Sequence, residues 1–173
     1  METHVVEISP VTSRHSALIV FLACILKLST DYNDAGAVFA APFIMNCGDD
    51  VEMMPDLQIV VREHLGLIAD DCLEGSADIA IEIIPWGSDP EDRTSSLADY
   101  EQTGVREYWL IDPEHKVATF YIRNAEKQLV PARMGESGIY RSKILPDLWI
   151  KVNWLWEDPP PKAMVILREW RKI

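Results

Sequence analysis

Asp56 follows Pro55 at the head of one apolar run, and Glu82 lies near the end of another, Asp78-Ile79-Ala80-Ile81-Glu82-Ile83. Side chains alternate along an extended strand, so Asp78, Ala80 and Glu82 share one face. Ile79, Ile81 and Ile83 take the other, which is expected to be the core face. A carboxylate in an otherwise apolar strand is costly to bury unless it is paired or bound to a cation. Two such carboxylates on neighbouring strands could hold Mg²⁺, which takes oxygen ligands and keeps several waters. A metal so held would polarise a phosphodiester and help form the attacking hydroxide. Spacing alone leaves a second reading open, with Asp56 in a Pro-Asp turn and Glu82 at a solvated strand end.

The elements that must position these groups follow from hydrophobic period and punctuation. Ser13 can cap a helix over residues 14–29, where Leu18, Phe21, Leu22, Ile25 and Leu26 recur at the three-four spacing of a buried face. Residues 5–8 predict a short strand, and residues 37–45, 57–61 and 78–84 predict three more. Asp89 as cap, Pro90 at the first helical position, Glu91 and Asp92 in the first turn and Gly104 at the stop predict a second helix. Residues 107–111 and 117–122 predict a hairpin joined by Asp112-Pro113-Glu114-His115, which is turn chemistry. Short strands are expected around Leu129, Tyr140 and Trp149. A terminal helix is expected over residues 162–170, with Met164, Ile166, Leu167 and Trp170 packing. The order is that of an α/β or α+β protein, with a mixed β-sheet core flanked by helices, extra C-terminal strands and a terminal helix.

Composition narrows the class. The 173 residues, 48% hydrophobic, suit one domain with one core over 1–173, with a proline-rich hinge at 157–161. The longest apolar run, residues 17–26, is about half the roughly 20 residues that cross a bilayer, and no leader pattern opens the chain, so a cytoplasmic protein without membrane attachment is expected. The balance of 28 acidic to 16 basic residues, a net charge of −12, argues against a broad phosphate-binding surface. It leaves room for local phosphate binding through a divalent metal. Cys24, Cys47 and Cys72 are odd in number and lack metal-ligand spacing, so reduced, half-buried thiols are expected.

Other candidates read as structural. His15, in the first helical turn, could donate to a phosphate, but a hydrogen bond to a neighbouring strand is the expectation. His4, His64 and His115 lie in end or turn segments and carry no signal. Tyr108, Trp109 and Tyr121 could stack on bases, yet aromatic residues on adjacent strands are expected to pack.

Several of these blocks together resemble a known family. Pro55-Asp56, the run from Ala77 to Ile83, Asp92, Tyr100 and Gly104-Val105-Arg106-Glu107-Tyr108-Trp109-Leu110-Ile111-Asp112 resemble the Uma-type restriction endonucleases, a branch of the PD-(D/E)XK nuclease superfamily. Val6-Glu7-Ile8-Ser9-Pro10 with His15, Arg141-Ser142-Lys143-Ile144-Leu145-Pro146-Asp147-Leu148-Trp149 and Asn153-Trp154-Leu155-Trp156 extend the likeness over nearly the whole chain. The tyrosine-tryptophan block is its most specific part.

The resemblance implies a Mg²⁺- or Mn²⁺-dependent DNA endonuclease. Asp56 and Glu82 would be its metal ligands, the Ile83 carbonyl a third, and a lysine on the following helix would complete the site. That lysine's position, four residues before Tyr100, holds Ser96, which cannot supply a fixed positive charge. Ile84, two residues after Glu82 where the wider superfamily places its lysine, is equally unable, and the family's Ser-Pro after the strand is Pro85-Trp86 here. The chain starts close to the first shared strand, so a preceding family segment, with any glutamate it contributes, is expected to be missing. Arg93, one helical turn before Ser96, could substitute as electrophile or could be a solvated residue paired with Glu91 or Asp89. Two functions therefore stand side by side: a DNA endonuclease, and a catalytically silent nuclease fold acting as a binding or dimerisation module. Six tryptophans and an apolar tail after the prolines point to a homodimer in either case.

Overall fold

A computed structural model describes residues 12–48, 51–88, 90–145 and 147–171, with the side chains of residues 90–95 and 136 outside the description. The strand expected at residues 5–8, His4 and the cap Asp89 lie outside the described residues.

Helix α1 spans Ser13–Asn33 and buries Leu18, Phe21, Leu22, Ile25 and Leu26, the face its spacing predicts. Its cap is Thr12 rather than Ser13: the Thr12 hydroxyl accepts the His15 N–H at 3.2 Å. The helix also runs four residues past the expected end, to Asp34 in the left-handed conformation, whose N–H closes on the Asp31 and Thr30 carbonyls. Nothing in residues 30–33 breaks a helix, so it continues until that stop. By length and composition α1 could cross a membrane; here its apolar face lies in the core. Thr12→Ala removes the cap acceptor and is expected to lower unfolding free energy by about 1 kcal/mol, read as a shift in urea midpoint.

The central sheet has the order β1-β4-β6-β7-β8-β9. Its strands are β1 (Gly36–Ala40), β4 (Leu57–Val61), β6 (Ile79–Ile83), β7 (Glu107–Asp112), β8 (Val117–Arg123) and β9 (Leu129–Pro131). Among the described residues of this sheet only the central β6–β7 pair is parallel, and helix α2 (Pro90–Gln102) makes its crossover. Two small sheets flank it: β2 (Ile44–Asn46) between β3 (Glu52–Met53) and β5 (Cys72–Leu73), and β10 (Ile139–Arg141) with β11 (Trp149–Lys151). The single strand expected over residues 37–45 is in fact two, β1 and β2. Pro42, which has no N–H to donate, falls in the turn between them.

Both sheet faces are covered. One packs on α1 and on helix α3 (Ala163–Glu169), with Ile79, Ile81, Ile83 and Trp109 between them. The other, with Ala80, Ile84, Tyr100 and Tyr108, lies in a second core that α2 helps to close. Asp78 and Ala80 are therefore as buried as the isoleucines, and the sequence's division into one core face and one open face fails. The parallel crossover is the reason, because it lays a helix on that side. In α3, Ile166, Leu167 and Trp170 are buried as expected, but Met164 is exposed. Tyr108 and Trp109 are fully buried, Trp109 edge-on to Phe120 and Tyr140, so they pack.

Candidate active site

The β4–β6 register pairs Leu57 with Ile81 and Gln58 with Ala80, so one step further Asp56 stands opposite Glu82. Residues so opposed project to the same side of an antiparallel pair. Asp56 Oδ2 accepts the Ile83 N–H at 2.7 Å, which fixes the carboxylate over the end of β6. His15 reaches the same point from the first turn of α1. Its Nε2 lies 2.8 Å from the Ile83 carbonyl and 3.5 Å from Asp56 Oδ2. A carbonyl only accepts, so Nε2 carries hydrogen. The hydrogen bond with Asp56 holds the imidazole pKa above its ordinary value, against the effect of burial. The other ring nitrogen, Nδ1, is buried without a partner among the described residues. The bond to a neighbouring strand expected of His15 is present, and it places the ring in the carboxylate site, which no sequence signal indicated.

Glu82 is half-buried, with its carboxyl against fully buried Tyr100. The Tyr100 hydroxyl donates to Glu82 Oε1 at 2.6 Å. Burial pushes the Glu82 carboxyl up to about 7; the Tyr100 bond opposes this and the charge of Asp56 adds to it. Burial also raises the Tyr100 phenol. Tyr100 stacks on Tyr108 with ring centres 4.4 Å apart, and the Tyr108 hydroxyl pairs with Ser96 Oγ at 2.7 Å. Ser96 thus sits at the far end of a chain of contacts that leads to Glu82. Tyr100 as the partner of Glu82 went unseen in the sequence, where it appears only among the residues that carry the family likeness.

Ile84 is buried in the second core. Arg93 lies on α2, but its side chain is outside the described residues. Asp78 shares the strand face of Glu82 yet serves the scaffold: its carboxylate accepts from Val61 N–H at 2.9 Å and pairs with His64 and Arg106. His64 and His115, which carry no signal in the sequence, pair with Asp78 and Asp112.

Among the described residues no three His, Cys, Asp or Glu side chains gather as a metal cluster. Two carboxylates suffice for Mg²⁺, which completes its shell with waters and substrate phosphates. Glu82, buried beside a second carboxylate, fits such a cation because positive charge would offset both burial and repulsion. The Ile83 carbonyl already receives His15 Nε2, which leaves it one lone pair.

The fold is thus a mixed sheet flanked by helices, with a carboxylate pair at the meeting of β4 and β6. Residues 2–153 match the Uma2 family model, described as putative restriction endonuclease, and the chain belongs to that family. The fold is similar to a crystal structure of a putative nuclease belonging to DUF820 from Anabaena variabilis ATCC 29413. The likeness has a TM-score of 0.68 at 16% identity and covers 84% of this chain and 81% of that one. No curated protein matches the sequence.

Proposed function

We propose that the chain is an endonuclease that hydrolyses phosphodiester bonds in DNA with Mg²⁺ or Mn²⁺ held by Asp56 and Glu82. The observation that carries this reading is the register that sets Asp56 opposite Glu82, in a member of a restriction-endonuclease family. A bound cation would polarise the phosphodiester and lower the pKa of a water. The chain's own part is to hold the pair: Ile83 N–H and His15 orient Asp56, and Tyr100 orients Glu82. With Mg²⁺ or Mn²⁺ the protein is expected to nick supercoiled plasmid, and Asp56→Ala to slow nicking by about 100-fold or more, the scale on which lost charge stabilisation acts.

One observation favours the second reading, a silent fold used for binding or dimerisation. Ser96 replaces the expected lysine, and its hydroxyl is taken by Tyr108. A plasmid left intact by the parent decides for it, whereas equal cutting by Asp56→Ala overturns the first reading without supporting a silent fold. Ser96→Lys then tests the cause: unchanged metal affinity and cutting would show that the missing lysine does not silence the site.

A homodimer in the cytoplasm belongs to the same proposal. Three free thiols suit a reducing compartment. Val20 and Met164 are exposed beside a groove lined by Phe21, Cys24, Pro160 and Pro161, a surface that a symmetric partner would cover. Light scattering is expected to give twice the 19.7 kDa chain mass, and a monomeric mass refutes the dimer. Loss of the dimer in a version ending at Glu157 would assign the contact to the tail.

A further inference from the structure

Of the six tryptophans, five are buried or half-buried; Trp86 is 65% exposed. An exposed indole offers a flat apolar face with a polar edge, the kind of group that recurs where proteins meet partners. Trp86 is not on a loose loop. Ser88 closes the turn by donating its N–H at 3.3 Å and its hydroxyl at 2.9 Å to the Pro85 carbonyl. Gly87, in the left-handed region at φ +79°, donates its N–H to Glu114 Oε2 at 3.0 Å, which pins the turn to the β7–β8 turn. Ile84 N–H, just before it, bonds the Ile111 carbonyl at 2.8 Å.

The turn adjoins the carboxylate pair. Glu82 and Ile84 lie on one face of the chain, two residues and about 7 Å apart. Ile84 lines a half-open cleft of about 220 Å³ with Leu97, Leu110, Val117, Thr119 and Tyr121, and the buried carboxylate Asp112 also borders it. Leu97 neighbours Ser96 on α2, and Tyr121 stacks on Tyr108 with ring centres 5.9 Å apart. Val117, on the rim, is 49% exposed, and Lys116 beside it is an exposed cation. From Glu82 outward the chain therefore presents a carboxylate, a largely apolar cleft bordered by Asp112 and a braced exposed indole, with exposed Lys116 next to the lining residue Val117.

We propose that Trp86 and this cleft form a stacking surface for unpaired nucleotides next to the Asp56–Glu82 site. The chemistry selects a single strand over a duplex. A net charge of −12 disfavours tracking two phosphate backbones, whereas stacking uses the π-face every base carries once it leaves the helix. The cleft offers apolar walls to one base, Trp86 a platform to its neighbour and Lys116 a contact to the phosphate between them. The surface faces nucleic acid rather than another ligand because it continues from the carboxylate pair, and in that respect it rests on the nuclease reading.

Fluorescence anisotropy of the full chain tests this, using labelled oligo-dT of about 12 nucleotides and a blunt duplex of equal length, with Ca²⁺ in place of Mg²⁺ to hold off cutting. The parent is expected to bind the single strand at least about tenfold tighter than the duplex. Trp86→Ala is expected to lose roughly tenfold on the single strand with its melting temperature unchanged, and Trp86→Phe to keep most of the affinity. Equal binding by Trp86→Ala and the parent, or equal affinity for duplex and single strand, overturns the proposal. So does a Trp86→Ala protein that changes from dimer to monomer while binding oligo-dT as before, since the indole would then belong to a self-contact. If plasmid is never cut but the Trp86-dependent preference persists, the nuclease reading fails and the stacking surface stands.

Discussion

Glu107→Ala is expected to lower the unfolding free energy by about 3 kcal/mol or more. The Glu107 carboxylate is fully buried and no cation pairs with it among the described residues. Four donors converge on it instead. Trp109 Nε1 donates to Oε1 at 2.7 Å; Ser142 Oγ, Lys143 N and Ile144 N donate to Oε2 at 3.0, 2.9 and 3.3 Å. The group ties the first residue of β7 to the turn that leads towards β11. Truncation leaves buried donors unpaired, each worth about 1–3 kcal/mol. Glu107→Gln keeps the shape but turns an N–H pair towards donors, so its loss is expected to be smaller and still clear. Urea unfolding measures both, and a loss under about 1 kcal/mol for Glu107→Ala would contradict the role.

The second large effect is a pH dependence traced to Glu82. Its carboxyl titrates near 7 in the folded chain against an ordinary value of 4.5. The folded state therefore binds this proton more tightly than the unfolded state does. The stabilisation this brings is complete below about pH 4.5 and is lost as pH rises through 7. At 1.36 kcal/mol per pH unit, the loss amounts to about 3 kcal/mol by pH 8. Glu82→Gln has no proton to lose, and its amide oxygen can still accept from Tyr100. It is expected to be the more stable protein at pH 8, with the difference vanishing near pH 4. Parallel urea midpoints for parent and variant across that range would remove the burial argument.

How much of this was legible in the sequence depended on whether the cause was local. β4 was legible in full because its apolar run is bounded by Asp56 and Arg62. The buried face of α1 was legible because three-four spacing is a local pattern, but its end was not, since Asp34 stops the helix by a conformation rather than a residue type. The single strand expected over residues 37–45 divides because Pro42 interrupts an apolar run that is otherwise continuous. Asp78 is buried where Val61, His64 and Arg106 close on its carboxylate, and that is a tertiary fact. In the site, Asp56 and Glu82 stood out as carboxylates in apolar strands, and Ser96 as a departure from a family pattern. Tyr100 on Glu82 and His15 on Asp56 depend on packing between elements 18 and 41 positions apart in the chain, and no local spacing encodes them.

Calorimetric titration of Mn²⁺ into the parent and into Glu82→Gln at pH 8 tests the paired carboxylates as a metal site most directly, because it needs no substrate and no turnover. If Asp56 and Glu82 hold the ion, the parent binds one Mn²⁺ per chain and Glu82→Gln binds it at least about tenfold more weakly, as loss of one of two charged ligands requires. Equal affinity in the two proteins, or no binding heat from the parent, would contradict it.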